Sequence, residues 1–340
     1  LGLKFGVHIL RGIPRKAYNQ NVAILGTSVH AKDITNTSDT CNWSDDTYGL
    51  DFSKAEVQAY YDSVFALMAS WGLDYIKVDD LARNYHRDDI DAIRRAIDKT
   101  GRKIVFATSP GPLKIEVAEH ISSQVNTWRI SQDLWDNWRD IYEEFSFLEQ
   151  WSRYAGPGHF PDADMLPLGN LRNWDTKGPK WTQLTRDEQV TMMTLWCIGR
   201  SSLMVGAHLP KNDEWTLSLL TNDEVLAVSQ RSEGNRQVSR RDDQVIWTAK
   251  ATTSEDIYVA MFNTSPAPPR QRRRVVMSGT PSTQPSPAVE ISISLTDLKL
   301  SGAYRVRDLW KHRDLEVCKD KLPAKVNSHG AVLYKLSPAR

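Results

Sequence analysis

Between residue 1 and about residue 235, short apolar segments alternate with longer segments whose apolar residues recur at helical spacing. Strand candidates include 3–9, 75–79, 103–109, 125–130 and 202–205, and helix candidates include 53–71, 88–100, 134–151 and 186–198. Repeated strand–helix units predict a parallel sheet, because a helix between two strands brings the chain back to the edge where the first strand began. We therefore expect an α/β fold for this part of the chain.

The number of strand candidates fits a TIM-type (β/α)8 barrel that lacks its first two βα units in this chain. The chain also starts in a strand candidate and without Met, so we expect it to be truncated at its amino end. A doubly wound open sheet is the alternative, but no Gly-rich phosphate loop follows any strand candidate. We predict a catalytic (β/α) barrel over residues 1–234.

The pattern changes after about residue 235. Strand candidates at 244–248, 256–262, 290–295, 303–307 and 331–334 follow one another without helices between them. Short consecutive strands of this kind are typical of antiparallel sandwiches. We predict a carboxyl-terminal antiparallel β-sandwich domain over residues 235–340.

Composition argues against several kinds of partner. Lys and Arg number 43 against 42 Asp and Glu, a net charge of +1, so we expect neither nucleic acid nor a membrane surface as a partner. No segment approaches the roughly 18 apolar residues that a membrane helix needs. Cys41, Cys197 and Cys318 lack metal-ligand spacing, so we expect neither a metal site nor a disulfide framework. The 12 tryptophans favour contacts with sugar rings, with ordinary core packing as the alternative.

Acidic residues recur at the ends of the strand candidates, where the functional side chains of a parallel barrel gather. Lys77 and Asp79 lie two residues apart on one strand and share a face, and a structural ion pair is the alternative to a binding role. Arg129 ends a later strand, and Asp133 lies in the loop that follows. Paired carboxylates with nearby aromatic residues fit hydrolysis of a glycosidic bond, although carboxylates at barrel mouths also bind metals and amino groups.

The motifs at these strand ends resemble those of glycoside hydrolase family 27, the melibiase group of α-galactosidases and α-N-acetylgalactosaminidases. The resemblance runs along the whole chain and includes WGLDYIKVD at 71–79, GPG at 156–158, DADML at 162–166 and VRDLW at 306–310. It implies a (β/α)8 barrel followed by a β-sandwich, and hydrolysis with retention of configuration at the anomeric carbon.

The resemblance also implies roles for the residues at matching positions. Asp79, in the Lys-x-Asp motif, matches the nucleophile of the family, and Asp133, four residues after Arg129, matches its general acid/base. Lys77 and Arg129 match residues that hydrogen-bond to ring hydroxyls of the sugar. Retention through a covalent glycosyl-enzyme requires the two carboxyl groups to lie about 5–5.5 Å apart. Asp79 must be ionised to attack, and the cations Lys77 and Arg129 favour that form.

The chain departs from the family pattern near the expected pocket. His8 stands where members carry a Tyr that lines the pocket, and Leu81 stands where many carry a disulfide-bonded Cys. Ser109 stands where α-galactosidases have a Glu beside the 2-substituent of the sugar and N-acetylgalactosaminidases have Ser. Asp164 resembles a position at the pocket rim, and Trp43, in the loop after the first strand, is a candidate platform for a sugar ring.

These observations predict a retaining exo-glycosidase that hydrolyses terminal α-linked galactose from oligosaccharides or glycoconjugates by double displacement. Ser109 favours α-N-acetylgalactosaminides as the alternative substrate. An inactive sugar-binding relative is the alternative outside enzymes, but such a protein would not need two carboxylates and two cations at one site. No metal and no organic cofactor is expected to take part.

Overall fold

A computed structural model describes residues 2–171, 180–265 and 288–339. The chain divides into two compact units, and each is assembled from two segments. The first unit comprises Leu1–Asp133 with Pro157–Asp162, and the second comprises Leu134–Gly156 with Ala163–Arg340. The domain bounds 1–234 and 235–340 stay a prediction.

The first unit alternates strands with helices. Its strands are β1 (Gly6–Leu10), β2 (Ile13–Pro14), β3 (Thr35–Thr40), β4 (Thr47–Leu50), β5 (Tyr75–Asp79), β6 (Val105–Thr108), β7 (Thr127–Arg129) and β8 (Phe160–Asp162). Its α-helices are α1 (Arg15–Gln20), α2 (Glu56–Ser70), α3 (Arg87–Lys99) and α4 (Ala118–Gln124).

The main sheet of this unit is parallel and has the order β1-β5-β6-β7-β8. Its register places Leu10 beside Asp79 and Arg129 beside Asp162, so these strands end at one edge of the sheet. On β5, Ile76 and Val78 are fully buried, whereas the residues that alternate with them, Tyr75, Lys77 and Asp79, face the other side of the sheet and are half-buried. The parallel sheet predicted from the βα pattern is therefore confirmed.

A small antiparallel sheet, ordered β2-β4-β3, lies in the connection between β1 and α2. It depends on Gly12, which has a φ of 80° and precedes β2. A Cβ at Gly12 would lie 2.1 Å from the carbonyl oxygen of Tyr48, so no other residue fits between these backbones. The sequence analysis did not predict this sheet.

The second unit combines helices with antiparallel strands. Its α-helices are α5 (Trp138–Trp151), α6 (Arg186–Gly199), α7 (Glu214–Leu220) and α8 (Asp223–Gln230). Its strands are β9 (Ser232–Arg241), β10 (Gln244–Ala251), β11 (Ile257–Asn263), β12 (Ala288–Ser294), β13 (Tyr304–Asp308), β14 (Arg313–Asp314), β15 (Lys321–Asn327) and β16 (Ala331–Pro338). Where a strand was expected over 202–205, the structure has a single parallel bridge between Leu166 and Val205.

These strands form two antiparallel sheets, one ordered β14-β13-β16-β11-β10-β9 and the other pairing β12 with β15. Their apolar side chains make one core, which includes Val259, Met261, Ile291 and Leu336. The second sheet packs through alternate residues of β15, whose Leu322 and the residues two and four later are buried. This is the sandwich that the sequence predicted.

Two further features are the lengths of the helices and the state of the cysteines. Within the described ranges, no helix is both long and apolar enough to cross a bilayer. Cys41, Cys197 and Cys318 are all buried free thiols.

Candidate active site

Asp79 lies at the carboxyl end of β5, where the chain leaves the sheet. The next residue, Asp80, has a φ of 62°, and this left-handed conformation turns the backbone away from the strand direction. The Asp80 N–H donates to Asp79 Oδ1 at 3.0 Å, and His8 Nε2 lies 3.4 Å from Asp79 Oδ2. The Asp79 side chain is 18% exposed, so its carboxylate is reachable from solvent while most of it is enclosed.

The surroundings of Asp79 favour its ionised form. Burial by itself raises the pKa of Asp79, but hydrogen bonding from His8 and from the Asp80 N–H outweighs it. The Ser109 hydroxyl and the charge of Lys77 act in the same direction, and together these groups lower the pKa of Asp79 to about 2. A half-buried carboxylate that stays ionised at neutral pH can act as a nucleophile or can stabilise a nearby cation.

Lys77 and Ser109 both lie beside Asp79. Lys77 is two residues earlier on β5 and is in register with His8 of β1, so it shares the face of the sheet that carries Asp79. Ser109 directly follows β6, and its Oγ is buried without a hydrogen bond of good geometry to any described residue. The structure therefore brings together Asp79 with three residues that the sequence analysis named.

Arg129 and Asp133 form the second charged pair. Arg129 ends β7 and has a side chain that is 5% exposed, whereas the Asp133 side chain is 71% exposed. Arg129 Nη2 lies 3.5 Å from Asp133 Oδ1. Asp133 thus presents its carboxyl group to solvent, with a buried cation behind it.

The loops after β5, β6 and β7 are tied to one another. The Leu81 N–H donates to the Ser109 backbone oxygen at 3.0 Å. Arg83 donates to the backbone oxygen of Gly111 at 3.3 Å and to Gln132 Oε1 at 2.9 Å. Since Gln132 directly precedes Asp133, Arg83 links the loop after Asp79 to the loop that carries Asp133.

Gly111 allows two of these loops to approach closely. A Cβ at this position would lie 2.4 Å from the backbone oxygen of Ser131 and 2.8 Å from that of Arg129. Both distances are too short for a side chain, so the loop after β6 packs against the end of β7 only with glycine there. The spacing of the glycines does not indicate this requirement.

Asp164 lies in the second unit and has a φ of 75°. Its Oδ2 accepts a hydrogen bond from the Leu134 N–H at 2.8 Å, and its backbone oxygen accepts one from Trp196 Nε1 at 2.9 Å. Asp164 therefore holds the backbone of Leu134, the residue after Asp133. A direct role for Asp164 in sugar binding stays a prediction.

Two tryptophans differ in what they can contact. Trp43 is 48% exposed, as a sugar platform requires, and that role stays a prediction. Trp128 is fully buried, and its ring stacks on His159 with centroids 6.3 Å apart. Trp128 is therefore a core residue, which is the alternative that the sequence left open for the 12 tryptophans.

The described part of the chain contains no cluster of three or more His, Cys, Asp or Glu side chains that could hold a metal ion. The side chains assembled here instead supply an ionised carboxylate, an exposed carboxyl group and two cations. Carboxyl groups and cations gathered where the strands of a parallel sheet end are suited to hydrolysis of a glycosidic bond.

Comparison with known proteins gives the family. The family model described as Alpha galactosidase A matches residues 28–231, and the model of the Alpha galactosidase C-terminal beta sandwich domain matches residues 241–336. The chain belongs to this α-galactosidase family, glycoside hydrolase family 27. The predicted fold class, a (β/α)8-type barrel followed by a β-sandwich, is confirmed.

Solved structures of this family resemble the whole chain. A family 27 β-L-arabinopyranosidase from Geobacillus stearothermophilus is 46% identical, with a TM-score of 0.89 over 99% of this chain and 74% of that one. A putative α-N-acetylgalactosaminidase from Bacillus halodurans is 37% identical, with a TM-score of 0.83 over 99% of this chain and 76% of that one.

Curated relatives are more distant. Alpha-galactosidase 2 of Arabidopsis thaliana is 27% identical over 273 residues, which are 79% of this chain and 61% of that protein. The α-galactosidase of Cyamopsis tetragonoloba is 26% identical over 79% of this chain and 59% of that protein. The chain therefore spans about three fifths of the length of these relatives.

Proposed function

We propose that this protein is a retaining exo-glycosidase in which Asp79 is the nucleophile and Asp133 the general acid/base. The observation that carries the proposal is the state of Asp79, whose half-enclosed carboxylate has a pKa of about 2. Asp133 is exposed and lies beside Arg129, and in this proposal it exchanges protons with a bound substrate and with water. Lys77 and Arg129 hold the sugar hydroxyls in this proposal.

In the first step, an oxygen of Asp79 forms a bond to the anomeric carbon of the terminal sugar. The bond between that carbon and the glycosidic oxygen breaks, and its electron pair passes to the oxygen. Asp133 enters the step protonated and gives its proton to this oxygen, so the leaving group departs as a neutral alcohol. The sugar is then held as an ester of Asp79.

In the second step, a water molecule attacks the same carbon from the face that the leaving group vacated. Asp133, now a carboxylate, takes one proton from the water, and the ester bond to Asp79 breaks with its electrons returning to the carboxylate. Two inversions leave the anomeric configuration unchanged. Both aspartates end in the protonation states in which they began.

The sugar that we propose as the preferred substrate is a terminal β-L-arabinopyranoside. The support is the 46% identity to an enzyme named for that activity, against 25–28% for the curated α-galactosidases. L-Arabinopyranose has the ring configuration of galactose without the exocyclic hydroxymethyl group, so one set of donors can hold either ring. The α-galactosides predicted from the sequence are the second candidate, supported by the family match over residues 28–231.

Three chromogenic substrates test the assignment. We expect the nitrophenyl β-L-arabinopyranoside to give a kcat/KM at least about 10-fold above that of the α-galactoside, since one extra substituent in a pocket changes discrimination by this order. The α-N-acetylgalactosaminide tests the alternative that Ser109 raised. Higher kcat/KM for either other sugar overturns the preferred substrate, and hydrolysis of none of the three overturns the proposed activity.

A separate measurement tests the mechanism. Proton NMR of a reaction sampled within its first minutes identifies the anomer that is released before mutarotation. We expect the anomer with the configuration of the substrate. Release of the opposite anomer would mean that water attacks directly and that Asp79 is not a nucleophile.

A further inference from the structure

Arg11 is a buried arginine whose side-chain hydrogen bonds converge on the turn after Asp79. Its side chain is 3% exposed. Its Nε donates to the backbone oxygen of Asp80 at 2.8 Å and lies 3.1 Å from Asp80 Oδ2. Its Nη1 and Nη2 donate to the two carboxylate oxygens of Asp39 at 2.8 and 2.6 Å. A bidentate pair of this kind fixes the plane of the guanidinium group.

The backbone of Arg11 holds the same turn from a second direction. The Arg11 N–H donates to the backbone oxygen of Asp79 at 3.1 Å. That oxygen belongs to the peptide group whose N–H, the one of Asp80, donates to Asp79 Oδ1. Because a peptide group is planar, a bond that fixes its oxygen also fixes the direction of its N–H. The backbone N–H of Arg11 therefore orients a hydrogen-bond donor to the Asp79 carboxylate, and the Arg11 side chain holds the following peptide group through the Asp80 oxygen.

Asp80 is a residue that needs such support. Its left-handed backbone, with a φ of 62°, is strained for a residue that carries a side chain. Its carboxyl group is also buried, and burial raises the pKa of Asp80 whereas the charge of Arg11 lowers it. Arg11 thus compensates both the backbone conformation and the buried charge.

We propose that Arg11 is a positioning residue for the nucleophile, and that with Asp39 it holds the Asp79–Asp80 peptide group in the orientation that presents the Asp80 N–H to Asp79 Oδ1. We call Arg11, Asp39 and Asp80 the Arg11 clamp. The inference rests on the proposed function only because it takes Asp79 as the nucleophile.

Several groups besides the clamp act on Asp79. The titratable and charged side chains that act on it in the described part of the chain include His8 on β1, Lys77 on β5, Cys41 in the loop after β3, and Asp80 itself. Substitutions in the clamp leave His8, Lys77 and Cys41 in place. Arg11→Met also removes a positive charge beside Asp80, which by itself raises the pKa of nearby carboxyl groups, so a variant that keeps this charge is needed to report on the Asp80 N–H alone.

Gly49 offers a way to disturb the clamp without removing a charge. A Cβ at Gly49 would lie 2.0 Å from Asp39 Oδ2, so Gly49→Ala forces that carboxylate away from its present position. The Asp39 side chain is 30% exposed and can turn toward solvent. This variant keeps every buried charge of the clamp and is expected to fold even if Arg11→Met does not.

The experiment is an NMR titration of the carboxyl carbons in protein made with isotope-labelled aspartate, with the Asp79 signal assigned by its loss in Asp79→Asn. In the unsubstituted protein we expect Asp79 to stay ionised down to the lowest pH at which the protein is folded. In Arg11→Met and in Gly49→Ala we expect the Asp79 midpoint to rise by about one pH unit, as the loss of a donor to a carboxylate requires. We also expect kcat/KM to fall about 100-fold in Arg11→Met, the cost of a misplaced reacting group.

Arg102 supplies the matched control. Its Nη2 donates to Asp74 Oδ1 at 2.7 Å and to the backbone oxygen of Gly72 at 2.8 Å, a similar arrangement at the other end of β5. Arg102→Met is expected to lower Tm and to leave the Asp79 midpoint unchanged. An Asp79 midpoint that does not move in Gly49→Ala or in a folded Arg11→Met overturns the inference. The titration needs no substrate, so failure of the proposed activity is a separate result.

Discussion

His8 Nε2 lies 3.4 Å from Asp79 Oδ2, and the two side chains come from neighbouring strands of the parallel sheet. His8 occupies the position where, by the family resemblance, other members carry a Tyr that lines the pocket. The His8 side chain is 54% exposed, so its ring faces the space above the strand ends and touches the carboxylate from one side. An imidazole N–H in this position stabilises the ionised carboxylate, so we expect it to set the acid side of the activity profile if Asp79 is the nucleophile.

Replacing His8 by Phe is expected to raise the pKa of Asp79. Hydrogen bonding from His8 is the first of the contributions that lower this pKa to about 2. Because only the ionised form attacks, the acid limb of kcat/KM should move to higher pH, and activity at pH 4 should fall by a larger factor than activity at pH 7. The measurement is a pH profile of kcat/KM on the nitrophenyl substrate that the protein cleaves best.

The control for this variant is His159→Phe. His159 stacks on buried Trp128 just before β8, away from the strand ends that carry Asp79. This variant should keep the acid limb of the unsubstituted protein. An acid limb that is the same in all three proteins would show that His8 does not act on Asp79.

Gly111→Ala is expected to lower catalytic activity by more than its loss of folding stability accounts for. The added Cβ would lie 2.4 Å from the Ser131 backbone oxygen, so the loop that carries Asp133 must shift. We expect a loss of about 100-fold in kcat/KM, since small displacements of reacting groups have effects of this size. Kinetics and thermal unfolding of the same preparation separate activity from stability.

Gly72→Ala is the matched variant for that comparison. Gly72 lies before β5 with a φ of 81°, and a Cβ there would have no neighbour within 4 Å. Its substitution strains the backbone at the opposite end of the strand, so Tm should fall by a few degrees while kcat/KM changes less than about twofold. Equal losses of kcat/KM in the two variants would contradict the packing role of Gly111.

The alternation of apolar and polar residues was sufficient to predict β5, the strand that carries Asp79. On β5 the alternation of Ile76 and Val78 with Lys77 and Asp79 predicted which side chains share a face, and the structure has them so. The position of Asp133 beside Arg129 is different, because a loop has no period. The strand pattern put Asp133 in the loop after Arg129 and the family motif gave its expected role, but neither pattern nor propensity indicates how that loop folds.

Helix bounds show a second limit of periodicity. The apolar pattern predicted a helix from 134, but α5 begins at Trp138, because Asn137 caps it by accepting from the Asp140 N–H at 3.1 Å. The Leu134 N–H is bonded to Asp164 instead. An apolar residue can thus continue the helical pattern in sequence while its backbone belongs to the preceding loop.

The Arg11 clamp could not have been found from sequence. Arg11 and Asp80 are 69 residues apart, and Asp39 lies on β3, whose sequence TNTSDT has no apolar alternation. A strand of this kind forms because neighbouring strands supply its partners, and a single sequence gives no register for that pairing. The same reason accounts for the missed sheet formed by β2, β4 and β3.

Replacing either carboxylate of the site by an amide should give different kinetics. Asp79→Asn removes the proposed nucleophile and is expected to lower kcat on every substrate by at least about 1000-fold. Asp133→Asn removes the proposed proton donor, so the loss should be largest for alkyl glycosides, which need a proton on the leaving oxygen, and smallest for dinitrophenyl glycosides, which do not. The measurement is kcat/KM across leaving groups of different acidity.

Azide distinguishes the two variants further. As a small anion it can attack the glycosyl-enzyme of Asp133→Asn without general base help and should restore turnover, releasing a glycosyl azide with retained configuration. In Asp79→Asn azide can only replace the missing nucleophile, so it should give a glycosyl azide with inverted configuration at the anomeric carbon. The same product from both variants would mean that the two roles are wrongly assigned.

Asp89→Asn tests how a buried carboxyl group on α3 limits stability. Asp89 accepts a hydrogen bond from the Tyr61 hydroxyl at 2.5 Å, and burial raises the pKa of Asp89 to about 6 although Tyr61 and Arg11 oppose the rise. In the unfolded chain the pKa is near 3.9. The folded state therefore holds the proton more tightly, and the stability that this gives is complete below about pH 4 and is lost as the pH rises through about 6.

Asn can still accept the hydrogen bond from Tyr61 but does not titrate. Asp89→Asn should therefore gain stability relative to the unsubstituted protein between pH 4 and pH 7. The difference in their free energies of unfolding should change by about 2 kcal/mol, and the difference in Tm should become more positive with it. Asp98→Asn, which removes an exposed carboxylate from the same helix, should give no such increase. Measuring Tm by calorimetry at several pH values checks this. A difference that becomes more negative over the same range would mean that Asp89 is ionised in the folded state and is stabilised there by Arg11.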